Sequence, residues 1–143
     1  MYFISALVVV AAVFAIYVRA APVRPADWHV VPAFTEPGDY PRATGFIALR
    51  KLRATGADAL RAIDTAAAAT PRTKLIAGSL QEGMLTYETR TRFMAFPDYT
   101  TVAVDDDMIA ISARLRFGKS DFGVNKARVQ SWLQALAPLT EPL

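Results

Sequence analysis

Residues 114–129, RLRFGKSDFGVNKARV, contain two short motifs that hold phosphate or metal ions in other proteins. A phosphate-binding loop has the pattern G-x-x-x-x-G-K-[ST]. With Gly118 as its second glycine, the first would fall on Ala113, and the intervening Arg-Leu-Arg-Phe alternates as a strand does. The triplet DFG, here at Asp121–Gly123, binds metal in protein kinases. There it acts together with a glycine-rich loop, a strand lysine and a catalytic H-R-D, which this sequence lacks. Neither motif therefore indicates a nucleotide site.

The residue types in GKSDFGVN are those of a connection between a strand and a helix. Gly118 and Gly123 supply backbone conformations that other residues resist. Ser120 and Asp121 have short polar side chains that hydrogen-bond neighbouring amides, and Asn125 is a favourable N-cap for a following helix. The segment is therefore predicted to be structural, with a functional site as the alternative interpretation.

Arginine and aspartate side chains close to this connection are the candidates for a binding site. Guanidinium groups hold carboxylate or phosphate groups through paired hydrogen bonds, so arginines on one sheet face are compatible with a site for an anionic ligand. The favoured interpretation is that they pair with the aspartates and line a solvated or helix-covered face, with the anion site as the functional alternative. The predicted binding residues are Arg90, Arg92, Arg114, Arg116, Asp98, Asp121 and Asn125.

The composition excludes several kinds of catalytic and metal site. The chain has no cysteine and one histidine, which excludes disulfides, thiolate nucleophiles, cysteine–zinc sites and a His-pair metal site within one chain. Ser79 and Ser120 have no His-Asp relay, and Asp105–Asp107 lack the alternating spacing of a calcium loop. His29 is predicted to be a structural or interface residue. No catalytic residue, metal ligand or cofactor is predicted.

An unbroken apolar run, Met1–Val18, opens the chain. As a helix its 18 residues extend about 27 Å, close to the roughly 30 Å hydrocarbon core of a bilayer. Residues 1–19 are therefore predicted to be a transmembrane anchor, with the lipid bilayer as partner. The alternative is a signal peptide cleaved at Val18-Arg19-Ala20, although the run lacks a basic n-region and exceeds the usual length.

A single-pass protein of the cell inner membrane is the predicted location. Arg19 and Arg24 follow the span, which by the positive-inside rule favours a cytoplasmic domain. That rule weakens for long translocated domains, so the extracytoplasmic (periplasmic) side is the expectation and the cytoplasmic side the alternative. The net charge of +3, carried by dispersed arginines, permits contact with anionic lipid headgroups and does not indicate nucleic-acid binding.

The rest of the chain divides into a linker and one folded domain. Residues 20–44 contain five prolines and predict an extended linker, and residues 45–143 predict the domain. Gly45–Leu52 predicts its first strand. Thr55, three residues before Asp58, predicts a capped helix that stops before Pro71. TKLIAGS, at residues 73–79, predicts a second strand.

From residue 84 to residue 117 the side chains alternate with period two, as in antiparallel strands, and Asp105–Asp107 predicts a hairpin turn. One face is predicted to be buried and the other basic and solvated. A last helix is predicted at Asn125–Leu136, because its apolar residues recur at helical spacing. The predicted inward residues of the strands are Leu85, Tyr87, Thr89, Thr91, Phe93, Ile109, Ile111, Ala113, Leu115 and Phe117.

The predicted fold class is therefore α+β: an N-terminal transmembrane helix, then an antiparallel sheet of about five strands packed with two helices.

Two segments of this domain resemble the DUF1499 family of unknown function, across about residues 75–136. FPDYTTV, at residues 96–102, resembles the family's aspartate-bearing segment, with Asp98 as the acid. The motif R-x-G-x-S-D-x-G-V-N with a following arginine is matched at Arg116, Gly118, Ser120, Asp121, Gly123, Val124, Asn125 and Arg128.

The resemblance extends to the N-terminal region, since the anchor followed by ADWHVVP is similar to the single-span bacterial branch of the family. Other positions depart from the family pattern. Ala113 and Leu115 stand where family members often carry serine, and the N-terminal cysteine segment of many members is absent. Serine chemistry is therefore not expected here, and the resemblance implies no established activity.

Two functions are consistent with these features. The first is a non-catalytic binding or assembly module at the bacterial membrane, whose anionic ligand or protein partner is unknown. The second is an enzyme acting on an envelope or lipid-linked anionic substrate through Asp98 or Asp121 and an arginine clamp. Convergence of Asp98, Asp121 and Asn125 in a closed pocket would favour the enzyme, whereas a flat exposed arginine face would favour the binding module.

Overall fold

A computed structural model of the chain describes residues 2–143. The helices and strands follow one another in an order that begins with one long apolar helix. The elements are α1 Tyr2–Ala20, α2 Pro25–Trp28, β1 Gly38–Arg42, β2 Gly45–Lys51, α3 Gly56–Ala68, β3 Thr73–Ser79, β4 Met84–Arg90, β5 Pro97–Asp105, β6 Met108–Leu115 and α4 Val124–Leu136, with a short 3-10 turn at Ala137–Leu139.

The strands form one antiparallel sheet in the order β1-β2-β6-β5-β4-β3. The α+β class is confirmed, but the sheet has six strands rather than about five. The additional strand, β1, lies within the stretch predicted to be a linker. Its Pro41 is tolerated because β1 is an edge strand, where a missing backbone N–H costs little. Arg50 also holds β1 to β2, since its Nη2 donates to Asp39 Oδ1 at 2.7 Å.

Helices α3 and α4 cover one face of the sheet and enclose the hydrophobic core. The apolar stripes of both helices and the alternate residues of the strands meet there, including Leu60, Ile63, Tyr87, Ile111 and Trp132. The rings of Tyr87 and Trp132 pack edge to face with centroids 5.4 Å apart. The strand alternation and the helix stripes predicted this face, because both patterns depend only on local spacing.

The caps of the two helices differ from each other. Thr55 caps α3 as predicted, because its side chain accepts a hydrogen bond from the Asp58 amide at 3.1 Å. Asn125 is not the N-cap of α4, which begins after Gly123 at φ 80°. Asp121 takes the capping part instead, accepting from the amides of Gly123 and Asn125 at 3.0 and 3.3 Å. Asn125 is thereby displaced into the first turn of α4, where it is buried.

The opposite face of the sheet is also covered, which corrects the predicted solvated face. Residues 18–29, named here the covering segment, lie across it and include α2. Polar side chains that the alternation directs to this face, such as Thr86, Glu88 and Thr101, are buried. Strands β4, β5 and β6 are therefore enclosed on both faces, whereas the edge strands β1 and β3 stay partly exposed. The polar side chains of this face suggested that it meets water, and that prediction was wrong.

Three predicted inward residues, Thr91, Phe93 and Phe117, lie outside the strands. Strand β4 ends at Arg90, so Phe93 belongs to the loop 91–96 and is 82% exposed. Strand β6 ends at Leu115, so Phe117 belongs to the loop before α4. The apolar alternation continues past the ends of both strands, but the backbone pairing does not.

The N-terminal helix α1 is long and apolar enough to cross a membrane, by length and composition, over Phe3–Ala20. A signal sequence meets the same criteria. Its last two turns pack on the domain: Val18 and, just beyond the helix, Ala21 are buried. Phe14 and Tyr17 lie edge to face with Phe96 and Phe117, at centroid distances of 6.1 and 6.2 Å.

Candidate functional site

Arg114 is one of the predicted site residues that the covering segment hides. Its Nη2 donates to the backbone oxygen of Trp28 at 2.6 Å, and its guanidinium lies 5.1 Å from the centre of the Trp28 ring. Burial lowers the pKa of Arg114 from its ordinary value. A cation in this position is used to hold the covering segment on the sheet.

Arg116 is engaged in the same way. Its Nη2 donates to the backbone oxygen of Pro22 at 3.0 Å, and its Nη1 donates to the hydroxyl of Tyr99 at 3.4 Å. Its guanidinium also lies 5.0 Å from the centre of the Phe117 ring. Arg114 and Arg116 therefore do not form the exposed cationic face that the alternation predicted.

Trp28 and His29 organise this covered face. The Trp28 ring stacks on Tyr99 with centroids 4.1 Å apart and an interplanar angle of 26°. His29 Nδ1 lies 2.8 Å from Thr86 Oγ1, and Nε2 lies 3.4 Å from Glu82 Oε2. Since Thr86 is on the face opposite Asp98, the imidazole is far from any relay with that aspartate.

Four residues of the predicted motifs converge at the N-terminal end of α4, on the face of the sheet that α3 and α4 cover. Arg128 Nη1 donates to Asn125 Oδ1 at 2.6 Å, and Nη2 donates to Asp98 Oδ2 at 3.4 Å. The spacing of three residues puts Asn125 and Arg128 on one side of α4, directed at strand β5. Asp121 lies next to them through its cap of the Asn125 amide. We name Asp98, Asp121, Asn125 and Arg128 the motif cluster.

Burial dominates the electrostatics of the motif cluster. Desolvation raises the pKa of Asp98, the Arg128 guanidinium opposes this, and the nearby charge of Asp121 adds to the increase. Burial also lowers the pKa of Arg128, against the opposing effect of Asp98 and Asp121. The net result for Asp98 is a pKa above its ordinary value despite the ion pair, so its environment favours the protonated carboxyl.

Asn125 leaves one polar atom in the cluster without a hydrogen bond. Its Oδ1 accepts from Arg128, which sets the orientation of the amide, but the buried Nδ2 has no partner within residues 2–143. An unpaired buried donor costs about 1–3 kcal/mol. Thr100 Oγ1 and Arg114 Nε are the other buried side-chain atoms without a partner in the described chain, and of the three only Asn125 Nδ2 belongs to the motif cluster.

A cleft of about 350 Å³, which we name the arginine cleft, lies on one side of the motif cluster. No acidic side chain lines it. Its basic residues come from the loop before β3, the end of β4 with the loop after it, and α4. The lining residues are Thr70, Pro71, Arg72, Thr89, Arg90, Thr91, Arg92, Val124, Arg128, Ser131 and Trp132.

Two of the four guanidinium groups in the arginine cleft already have acidic partners. Arg90 Nε donates to the buried Glu88 at 2.9 Å, and Arg128 pairs with Asp98. Arg72 and Arg92 make no ion pair with any acid within residues 2–143. The cleft therefore carries a surplus of two positive charges over the acids that face its arginines.

A second cleft of about 480 Å³, which we name the apolar cleft, lies on the other side of the cluster. It meets the arginine cleft at Thr91 and Val124, which line both. The acids Asp98 and Asp121 lie on the walls of this second cleft. Its other lining residues are Phe96, Leu115, Phe117, Gly118, Lys119, Ser120 and Phe122.

The structure thus divides the seven predicted site residues into three groups. Asp98, Asp121 and Asn125 converge, Arg90 and Arg92 line the arginine cleft, and Arg114 and Arg116 lie under the covering segment. Sequence analysis singled out Arg128 only as a motif match, although its spacing from Asn125 is a signal for a shared helix face. Arg72 was missed, and nothing in its local sequence indicates a site. No group of three or more His, Cys, Asp or Glu side chains is placed to hold a metal ion in the described chain.

Comparison with known proteins assigns the chain to a family. No curated protein matches the sequence. The family model described as "Protein of unknown function (DUF1499)" matches residues 23–136, which begin after α1 and include the covering segment from Val23, the sheet and α4. The motif cluster and both clefts lie within this match. The chain therefore belongs to the DUF1499 family.

Proposed function

We propose that this protein is a non-catalytic binding module anchored in the bacterial cell membrane, and that it binds an anionic ligand in the arginine cleft. The observation that carries the proposal is the lining of this cleft, where four guanidinium groups meet and no acid is exposed. Arginine holds carboxylate and phosphate groups through pairs of charge-assisted hydrogen bonds. A concave site with charges of one sign also concentrates the opposite charge from solution.

Retention of α1 as a single-pass anchor is supported by its packing. Val18 and Ala21 are buried against the domain, and Phe14 and Tyr17 contact aromatic residues of its loops. Cleavage near Arg19 would remove Val18, Phe14 and Tyr17 from these contacts and leave their apolar partners in water. The domain is placed on the periplasmic side in this proposal, and an alkaline phosphatase fusion at the C-terminus, active only outside the cytoplasm, checks that side.

The test of ligand binding uses the variant Arg72→Gln/Arg92→Gln, because these two arginines have no acidic partner. The Arg90–Glu88 and Arg128–Asp98 pairs remain. We expect the affinity of the full-length protein for pyrophosphate to fall at least about tenfold, since a hydrogen bond to a charged group contributes about 1.5–3 kcal/mol. Isothermal titration calorimetry in non-ionic detergent measures this affinity.

The matched control is Arg42→Gln/Arg53→Gln, which removes the same charge from exposed positions outside the cleft. It is expected to keep most of the wild-type affinity. Equal losses in the two double variants would show that pyrophosphate responds to net charge alone, and the arginine cleft would then not be the binding site.

An enzyme is the second candidate, and the convergence of Asp98, Asp121 and Asn125 favours it. A buried carboxyl with a raised pKa beside a cleft suits a general acid or base. If the protein is an enzyme, wild type should convert an added anionic envelope lipid, as measured by mass spectrometry. Asp98→Asn should abolish this conversion while the variant still binds pyrophosphate. The binding module is preferred because the four members of the motif cluster, two acids, an amide and an arginine, include no hydroxyl, thiol or amine nucleophile.

A further inference from the structure

We infer that the ligand is an anionic membrane lipid, whose headgroup lies in the arginine cleft and whose hydrocarbon chain lies in the apolar cleft. This inference rests on the anchored, anion-binding function proposed above, and it names the class of ligand. It is carried by the juxtaposition of the two clefts, by the contact of the apolar cleft with α1, and by the exposed aromatic residues of the surrounding loops.

The two clefts present opposite chemistry within a short distance. Thr91 and Val124 line both, so the cationic space and the apolar space meet at a single boundary. The apolar cleft is walled by four large apolar side chains of the loops and of strand β6, Phe96, Leu115, Phe117 and Phe122. A small hydrophilic anion would leave these walls in water, whereas a molecule with an anionic head and an apolar chain would cover both surfaces.

Contact with α1 places the apolar cleft at the level of the lipid. Phe96 and Phe117, on the cleft wall, pack against Phe14 and Tyr17 of α1. Phe14 lies six residues before the end of α1, which is about 9 Å along the helix axis. The 18-residue apolar stretch extends only about 27 Å, so a bilayer core of roughly 30 Å leaves no spare length to lift these loops away from it.

The rim of the cleft has the composition of a membrane interface. Phe93 and Phe122 are 82% and 92% exposed, and Met94 is exposed beside Phe93. The same loops carry basic residues: Arg92 directly precedes Phe93, and Lys119 lies three residues before Phe122. Exposed aromatic side chains with neighbouring cations suit the boundary between acyl chains and anionic headgroups.

Phe122 also has an unusual backbone. Its φ of 51° lies in the left-handed region, which a bulky residue occupies at a cost of about 1–2 kcal/mol. A strained phenylalanine that is almost fully exposed gains no packing in the protein to offset that cost. Insertion of its ring into lipid would provide the missing apolar contact.

The experiment uses full-length protein in non-ionic detergent and two probes, phosphatidylglycerol and pyrophosphate, with phosphatidylcholine for comparison. Leu115→Trp fills the apolar cleft without touching the arginine cleft, and Leu75→Trp, on the exposed side of β3, is its matched control. We expect phosphatidylglycerol to raise the melting temperature of wild type more than phosphatidylcholine does. Leu115→Trp should lower the affinity for phosphatidylglycerol at least about tenfold and leave the affinity for pyrophosphate unchanged. Leu75→Trp should leave both affinities unchanged.

A second measurement does not depend on the folding of a variant. A phosphatidylglycerol with a photoreactive group near the end of its acyl chain is irradiated with the wild-type protein in lipid nanodiscs, and the labelled peptides are mapped by mass spectrometry. Labels on residues 115–124 and on Phe96 are expected. Labels confined to α1 would overturn the inference, because they would place the chain in the bulk bilayer.

The two proposals fail in distinguishable ways. Binding of pyrophosphate without preference for phosphatidylglycerol over phosphatidylcholine would overturn the lipid ligand and leave the anion site standing. If the wild-type protein bound neither pyrophosphate nor phosphatidylglycerol, the anion site itself would be overturned, and the lipid inference with it. An unchanged phosphatidylglycerol affinity in a folded Leu115→Trp protein would overturn the placement of the chain.

Discussion

At the scale of single residues, Asp98 shows how burial and ion pairing compete. The carboxyl is almost fully buried and pairs with Arg128, yet its pKa lies above the ordinary value because desolvation outweighs the pair. Because the folded protein holds the Asp98 proton more tightly than the unfolded chain does, ionisation of Asp98 costs stability that its pair with Arg128 offsets only in part.

The pH dependence of Asp98→Asn follows from the direction of this shift. The folded protein binds the Asp98 proton more tightly than the unfolded chain, so the contribution of Asp98 to stability is greatest below pH 3.8 and is lost as the pH rises through the folded pKa. Asn is neutral throughout. We expect the melting temperature of Asp98→Asn, relative to wild type, to be higher at about pH 7.5 than at about pH 4.

Differential scanning calorimetry at the two pH values measures this difference. Asp107→Asn, on the exposed hairpin turn, is the matched control and should show a much smaller change with pH. If the melting temperature of Asp98→Asn instead fell relative to that of wild type as the pH rose, the ionised pair with Arg128 would be the stabilising form. The role assigned to burial would then be wrong.

At the scale of elements, the covering segment encloses the second face of the central strands β4, β5 and β6. Trp28 is its main contact, because its ring stacks on Tyr99 and its backbone oxygen accepts from Arg114 and Thr101. The side chain of Trp28 is half-buried. The four-residue α2 has too few turns to be stable alone, so these tertiary contacts hold it in place.

Trp28→Ala tests this role. We expect a loss of about 2 kcal/mol in the free energy of unfolding, from lost apolar burial and the lost aromatic pair, measured by urea unfolding. Phe93→Ala removes a ring of similar kind from an exposed loop and should change stability by less than about 0.5 kcal/mol. Equal effects of the two substitutions would mean that the covering segment contributes no net stability.

At the scale of the whole molecule, α1 and the domain are packed together rather than joined by a free tether. Val18, Phe14 and Tyr17 contact the domain, and Arg19 Nη2 donates to the backbone oxygen of Phe93 at 3.4 Å. The orientation of the domain relative to α1 is thereby restricted, which keeps both clefts at one height along the helix. A tether without these contacts would leave the clefts free to turn relative to α1.

Two truncations separate the packing of α1 from its apolar length. Removal of residues 1–13 keeps the contacts of Phe14, Tyr17 and Val18 with the domain, whereas removal of residues 1–20 deletes them. We expect the second chain to be less stable by about 1.5–3 kcal/mol, the value for a fully buried Val, and to associate through exposed Phe96 and Phe117. Urea unfolding and analytical ultracentrifugation measure the two effects, and identical behaviour of the two chains would contradict the packing of α1.

Most of the fold could be predicted because its signals are local. Period-two alternation identified the long strands, helical spacing identified α4, and the acidic run at residues 105–107 identified the hairpin turn. Strand β1 was missed because its proline and glycine content is typical of loops, and only pairing with β2 makes it a strand. The capping of α4 by Asp121 instead of Asn125 was missed because either residue type can cap a helix.

Residue chemistry alone determined the apolar N-terminal helix, most of the α+β elements and the choice of Asp98, Asp121 and Asn125 as motif residues. Tertiary structure decided that these three residues converge. Tertiary structure alone decided which arginines are available to a ligand. Arg114 and Arg116 are held by Trp28 and Pro22, 86 and 94 residues away along the chain, and Arg72 enters the cleft from a separate loop. Alternation assigns a side chain to a face of the sheet, but whether that face meets water depends on distant segments that the local pattern does not contain.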